Sequence, residues 1–153
     1  MKLMQKRSKK KGLSPGTLVH IGEKRTEAVT VTLFNYSSTH CDEQPIRDVN
    51  ELRPPSDETV TWVDVDGVHK TDVLEAFGKH FGLHPLLLED IANTEQRPKL
   101  DDYDPYFFLV MKVLTASDRG DILVEQISFV LGRNYVLSFQ ENGTDVFQSV
   151  RDR

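Results

Sequence analysis

Two helical patterns stand back to back in the middle of this chain, and the residues that part them constrain the fold most. Val73, Leu74, Phe77 and Phe81 recur at helical spacing behind Thr71, a good N-cap residue. Gly82 stops that pattern. His84-Pro85 opens the next, with proline at the first helical position, where its missing N–H does no harm. Leu86, Leu87, Leu88 and Ile91 supply the buried face of the second helix, which ends near Asn93, and Arg97-Pro98 then forces extended backbone.

Both flanks of this helical pair read as strand. Upstream, β-branched runs over 17–21, 28–36 and 59–66 predict strands, and 40–46 is ambiguous, an edge strand with Pro45 near its end. Val60, Trp62 and Asp64 share one face of the third run, and Thr61, Val63 and Val65 the other. Asp48 is placed to cap a short helix through Leu52, stopped by Pro54-Pro55. Downstream, 99–104, 105–115, 122–131 and 135–140 read as strands. The turn Asp118-Arg119-Gly120-Asp121 pairs the second with the third as a hairpin. Asp145 is a candidate cap for a closing helix whose stripe, Val146, Phe147 and Val150, simply stops. The order predicts an α/β fold: a mixed parallel and antiparallel sheet sandwiched between helix layers (α/β/α). The unfinished stripe predicts that the chain is the N-terminal piece of something longer.

Charge divides the chain in two. Its net charge of -5 hides six lysines and arginines before residue 12 with no acid among them, leaving 13 basic against 24 acidic residues, a balance of -11. We expect a basic, disordered tail over 1–11 and one domain over 12–153. The tail has no aromatic residue to stack on bases, and an acidic body repels phosphate, so no nucleic-acid partner is expected. The one cysteine, Cys41, excludes an intramolecular disulfide and a cysteine-rich zinc module. The longest apolar run, 106–111, is far short of the ~20 residues of a spanning helix, and no apolar segment follows the basic tip. These 153 residues are therefore expected to be soluble and intracellular.

Candidate chemistry centres on Glu89-Asp90. Successive helix residues lie about 100° apart, so with the leucines facing inward these two carboxylates share the outer side. Hard oxygens of this kind suit magnesium, but two cannot fill its six-oxygen shell. From the residues alone, a solvated acidic face is the preferred reading of the pair, ahead of a cation site. His80 and His84 are four apart, yet Gly82 and Pro85 break any common helix face. Asp64-Val65-Asp66-Gly67 echoes a calcium loop but lacks its later ligands, and reads as a strand end with an aspartate turn. Asp101, Asp102 and Asp104 read as a solvated cluster. Cys41 has only the adjacent His40 as a base, on the opposite strand face, and no phosphate-cradling glycine loop or nucleophile elbow is present, so no enzyme is expected.

Gly82-Leu83-His84-Pro85-Leu86-Leu87-Leu88-Glu89-Asp90-Ile91, followed by Asn93 and Gln96-Arg97-Pro98-Lys99, resembles the signature of the CorA family of magnesium transporters. Residues 12–19, 62–73, 106–112, 125–128 and 139–141 extend the resemblance. It implies the cytosolic, cation-sensing domain of a magnesium or cobalt channel that is a homopentamer in its full length. The stalk, the two membrane helices and the Gly-Met-Asn pore mouth of that family are absent from this sequence. By the same resemblance, Glu89 and Asp90 are divalent-cation ligands at subunit interfaces, for Mg2+ and also Co2+, completed by acids of a neighbouring subunit beyond residue 153. Bound cation would hold the ring closed, and the full-length protein would sit in the cell membrane with this domain on the cytoplasmic side. A zinc-transporting member of the superfamily is the nearest alternative. A stand-alone interaction module is the alternative from another class.

Overall fold

The computed structural model describes residues 12–14, 17–142 and 146–152. The expected tail over 1–11, the Pro15-Gly16 turn and the Asp145 cap lie outside the described residues. Seven strands form one mixed sheet: β1 (Thr30–Tyr36), β2 (Cys41–Ile46), β3 (Val60–Asp66), β4 (Lys99–Asp102), β5 (Phe107–Ala116), β6 (Ile122–Leu131) and β7 (Tyr135–Gln140). Their order is β2-β1-β3-β7-β6-β5-β4. Neighbours are antiparallel except β3 and β7, which run parallel with Val63 opposite Leu137. That pair needs a crossover, and the crossover contains α1 (Thr71–Phe81) and α2 (Pro85–Ala92).

The crossover follows the sequence punctuation closely. Gly82 adopts a left-handed φ of 64°, which ends α1 without a Cβ penalty. His84 caps α2, its Nδ1 accepting from the Leu86 N–H at 3.2 Å, while its own N–H donates to the Tyr106 hydroxyl at 2.9 Å. Thr71 is not the cap expected of it: it begins α1, and Lys70 stands before it without a side-chain cap bond. Asp48 does cap its turn, accepting from Asn50 N–H at 2.9 Å.

Strand alternation divides the sheet into two faces. Val31, Leu33, Val63, Val65, Leu137, Phe139, Phe108, Val110 and Val130 form one face and pack under Leu74, Phe77, Leu87, Leu88 and Ile91. Leu86 departs from expectation, standing 49% exposed. The buried set on α2 is Leu87, Leu88, Ile91 and Ala92. At about 100° per residue, Leu86 then falls on the opposite side, between Glu89 and Asp90.

The second face of the sheet carries Phe34, Trp62, Asp64, Phe129, Val136, Ser138 and Gln140. One turn of helix, α3 (Gln148–Arg151), reaches it, with Phe147 set edge-on to Trp62. The mixed α/β architecture agrees with expectation, with most of its helix on one face. The expected strand over 17–21 is instead a strap. It makes a single parallel bridge, Ile21 to Asn93, in which Ile21 N–H donates to the Ala92 carbonyl and Thr94 N–H to the Ile21 carbonyl, each at 2.9 Å. Among the described residues the strap joins no strand of the sheet, so the bridge does not extend into a ladder.

Candidate cation-binding site

Glu89 and Asp90 lie in the last turn of α2, where it approaches the edge strand β4. Neither is fully solvated; both are partly buried. Asp90 is gripped at both oxygens. Gln96 Nε2 donates to Oδ1 at 2.5 Å, and Lys99 Nζ to Oδ2 at 2.7 Å. Lys99 also donates to Asp101 Oδ2 at 2.6 Å, so one ammonium bridges a carboxylate on the helix and one on the strand. Asp101 is thus an ion-pair partner and not the merely solvated acid expected. Its neighbour Asp102 accepts from the Asp104 N–H at 2.8 Å, which stabilises a tight turn with Asp104 at φ 72°.

Register explains the meeting. Lys99 opposes Val110 and Asp101 opposes Phe108, both on the helix-covered face, so the side chains of β4 turn toward α2. Lys99 also stands over the Phe108 ring at 5.4 Å, a cation–π approach. Burial alone would push its ammonium pKa down. The bonds to Asp101 and Asp90, with their charges, outweigh that and hold it above the ordinary lysine value.

Behind the carboxylates the backbone is fixed by a second polar set. Gln126 Nε2 donates to the Asn93 carbonyl at 3.0 Å, and Lys112 Nζ joins the Gln126 amide oxygen to the Thr94 carbonyl at 3.0 and 2.7 Å. Helix end, strap and β6 are held as one unit, a rigid mount for Glu89 and Asp90.

Among the described residues, no three His, Cys, Asp or Glu side chains converge as a metal shell. The donor chemistry of Glu89 and Asp90 fits a hard cation in part. Each offers carboxylate oxygen, but the Asp90 oxygens already accept from Gln96 and Lys99, and the rest of the shell must come from water or another chain. The other sequence candidates do not meet here. His80 lies inside α1 and His84 caps α2. His40 Nε2 faces Asp42 at 2.8 Å. No helix among the described residues is long and apolar enough to cross a membrane.

The sheet order and crossover pair define a mixed α/β domain with an acidic outer helix face. The family described as "CorA-like Mg2+ transporter protein" matches residues 57–153, and the chain belongs to it: a family of transporters and not of enzymes. It is 44% identical over 148 residues to the cobalt/magnesium transport protein CorA of Thermotoga maritima, covering 95% of this chain and 42% of that protein. It therefore spans about two fifths of that relative's length. Among solved structures, the complete CorA magnesium transporter of Methanocaldococcus jannaschii aligns at TM-score 0.58, with 12% identity over 83% of this chain and 37% of that one. The ZntB cytoplasmic domain of Vibrio parahaemolyticus aligns at 0.61, with 10% identity over 82% of this chain and 49% of that one. At such identities these two likenesses concern the fold alone.

Proposed function

We propose that these residues form the cytoplasmic, cation-sensing domain of a magnesium and cobalt channel that works as a homopentamer in the membrane. Glu89 and Asp90 each give one oxygen to a divalent cation shared with acids of a neighbouring subunit. Family membership supports the transport role of the full-length protein. The observation that supports the sensing site is the outward face of α2, where Glu89 and Asp90 flank the exposed Leu86 on a rigid mount. Opposed acidic faces of two subunits repel each other; a divalent cation between them converts repulsion into bridging attraction. Cation loss would release the subunits, a switch driven by the cation's preference for the closed ring.

The test is the double variant Glu89→Gln/Asp90→Asn in the full-length protein. We expect Mg2+-dependent closure, followed by channel current or limited proteolysis, to need roughly tenfold more Mg2+, about 1.4 kcal/mol of lost site affinity. Closure at the unaltered Mg2+ concentration would refute the assignment. Parallel titrations with Co2+ and Zn2+ rank the cations.

Lys99 acts in this scheme as an internal counter-cation that occupies Asp90 when no metal does. Lys99→Met removes it and leaves Asp90 and Asp101 facing each other. The variant should bind Mg2+ severalfold more tightly, about 1 kcal/mol for a partly exposed pair, as calorimetry of the full-length protein would show. Weaker binding would mean that Lys99 supports the site instead of competing for it.

A further inference from the structure

The parallel pairing of β3 with β7 sets Asp64 opposite Ser138 and Asp66 opposite Gln140, all on the sheet face turned away from α1 and α2. Asp64 is fully buried and well supplied with donors. Ser138 Oγ reaches its Oδ1 at 2.5 Å, Gln140 Nε2 forks onto both oxygens at 3.0 and 3.1 Å, and Arg151 of α3 pairs with Oδ2 at 2.7 Å. Asp66 is poorly supplied. Its Oδ1 is buried and has no hydrogen-bond partner among the described residues, and Thr30 Oγ1 reaches Oδ2 only at 3.5 Å. Gln140 Oε1 is equally buried and equally without a donor.

Two neighbouring acceptors in register thus lack the same thing. A carboxyl group can provide it by keeping its proton, because neutral Asp66 gains an O–H donor. The surrounding charge favours this. Asp64 on β3 and Glu125 on β6 oppose a negative charge on Asp66, and the nearby cation, Arg151, pairs with Asp64. Thr30 on β1 and Ser138 and Gln140 on β7 are uncharged. Two carboxylates this close titrate as a pair, and the uneven supply of donors assigns the anion to Asp64 and the proton to Asp66.

We propose that Asp66 takes up a proton on mild acidification and donates it to Gln140 Oε1, and that this makes the β3–β7 seam a proton-responsive clasp. Acidification fastens the seam beside the Asp64–Arg151 pair, and alkaline conditions load it with a second, half-buried negative charge. Burial, then Asp64, raise the Asp66 carboxyl to about 6 against the pull of Arg151. A carboxyl raised in the folded state binds its proton more tightly there than in the unfolded chain. Its contribution is therefore full below 3.8 and is lost as pH rises through about 6.

Side-chain carboxyl 13C NMR of the 153-residue chain tests this, with urea unfolding at about pH 5 and about pH 7.5. The Asp66 resonance should titrate near 6, and the urea midpoint should fall over that interval. Asp66→Asn, whose amide donates to Gln140 at any pH, should lose that part of the pH dependence. An Asp66 midpoint near 3.8 would overturn the proposal, as would an unchanged pH slope in Asp66→Asn. An Asp66 resonance that moves on adding Mg2+ at about pH 7.5 would also overturn it, since a cation would then fill the gap. Should the variant fail to fold, the titration of the unaltered chain decides alone.

Discussion

Phe77→Ala is expected to cost about 3–5 kcal/mol of folding stability, the range for emptying a large aromatic site in a close-packed core. Phe77 is completely buried. Its ring stacks on Phe81 at 6.0 Å and meets Phe139 of β7 edge-on at 5.5 Å, so it joins the helix layer to the centre of the sheet. Little nearby can collapse into the space, because the neighbours Leu74, Leu87 and Leu137 are themselves fully buried. Against a typical total of about 5–15 kcal/mol, the loss would leave the domain near its threshold. Urea unfolding should show a lowered midpoint with an unchanged slope. Leu86→Ala, on the outward side of α2, should fall within about 0.5 kcal/mol of the unaltered chain. A Phe77→Ala midpoint as mild as that of Leu86→Ala would show that the core relaxes around the cavity.

Much of the fold was legible in local sequence chemistry. Gly82 and Pro85 set the bounds of the crossover because one supplies a left-handed residue and the other a preset helical φ, and neither needs help from the rest of the chain. The turn at Gly120, φ 83°, paired β5 with β6 for the same reason. Misreadings arose where a local pattern needed a partner. The β-branched run 17–21 has strand character, but among the described residues its bridge is to Asn93 at the end of α2 and not to a strand, so no ladder forms. Pro45 left β2 ambiguous; the strand forms because it lies at the sheet edge, where a missing N–H costs no ladder bond.

The candidate site was legible in part. Helical spacing put Glu89 and Asp90 outside, and they are there. It could not give the bridge from Asp90 through Lys99 to Asp101, which depends on β4 being the last strand in the order and turning Lys99 toward α2. The buried acids were harder still. Alternation grouped Trp62 with Asp64 correctly, but it could not show that this acid is buried. Its burial comes from Ser138 and Gln140, 74 and 76 residues away, and from Arg151.

That last arrangement carries the second large effect. Asp64→Ala should destabilise the domain by about 3–5 kcal/mol, because it removes the carboxylate of a buried ion pair and takes that counter-charge from Arg151. The side chain of Asp64 is 1% exposed and that of Arg151 22%, so water can solvate little of what remains. Ser138 Oγ and Gln140 Nε2 lose their acceptor at the same time, and the Trp62 Nε1–H bond to Ser138 at 2.8 Å loses its anchor. Asp64→Asn keeps the shape and one acceptor oxygen, and should cost about 1–3 kcal/mol, the usual loss when a buried polar group is left short of a partner. Trp62, the chain's one tryptophan, reports on this directly, since it touches Phe34, Phe147 and Arg151. Its fluorescence should shift toward that of a solvated indole in Asp64→Ala at urea concentrations where β-sheet circular dichroism is still native, because Arg151 would release α3 before the sheet opens. Fluorescence and circular dichroism that change together at the unaltered midpoint would show that the Asp64–Arg151 pair holds neither the sheet nor the helix in place.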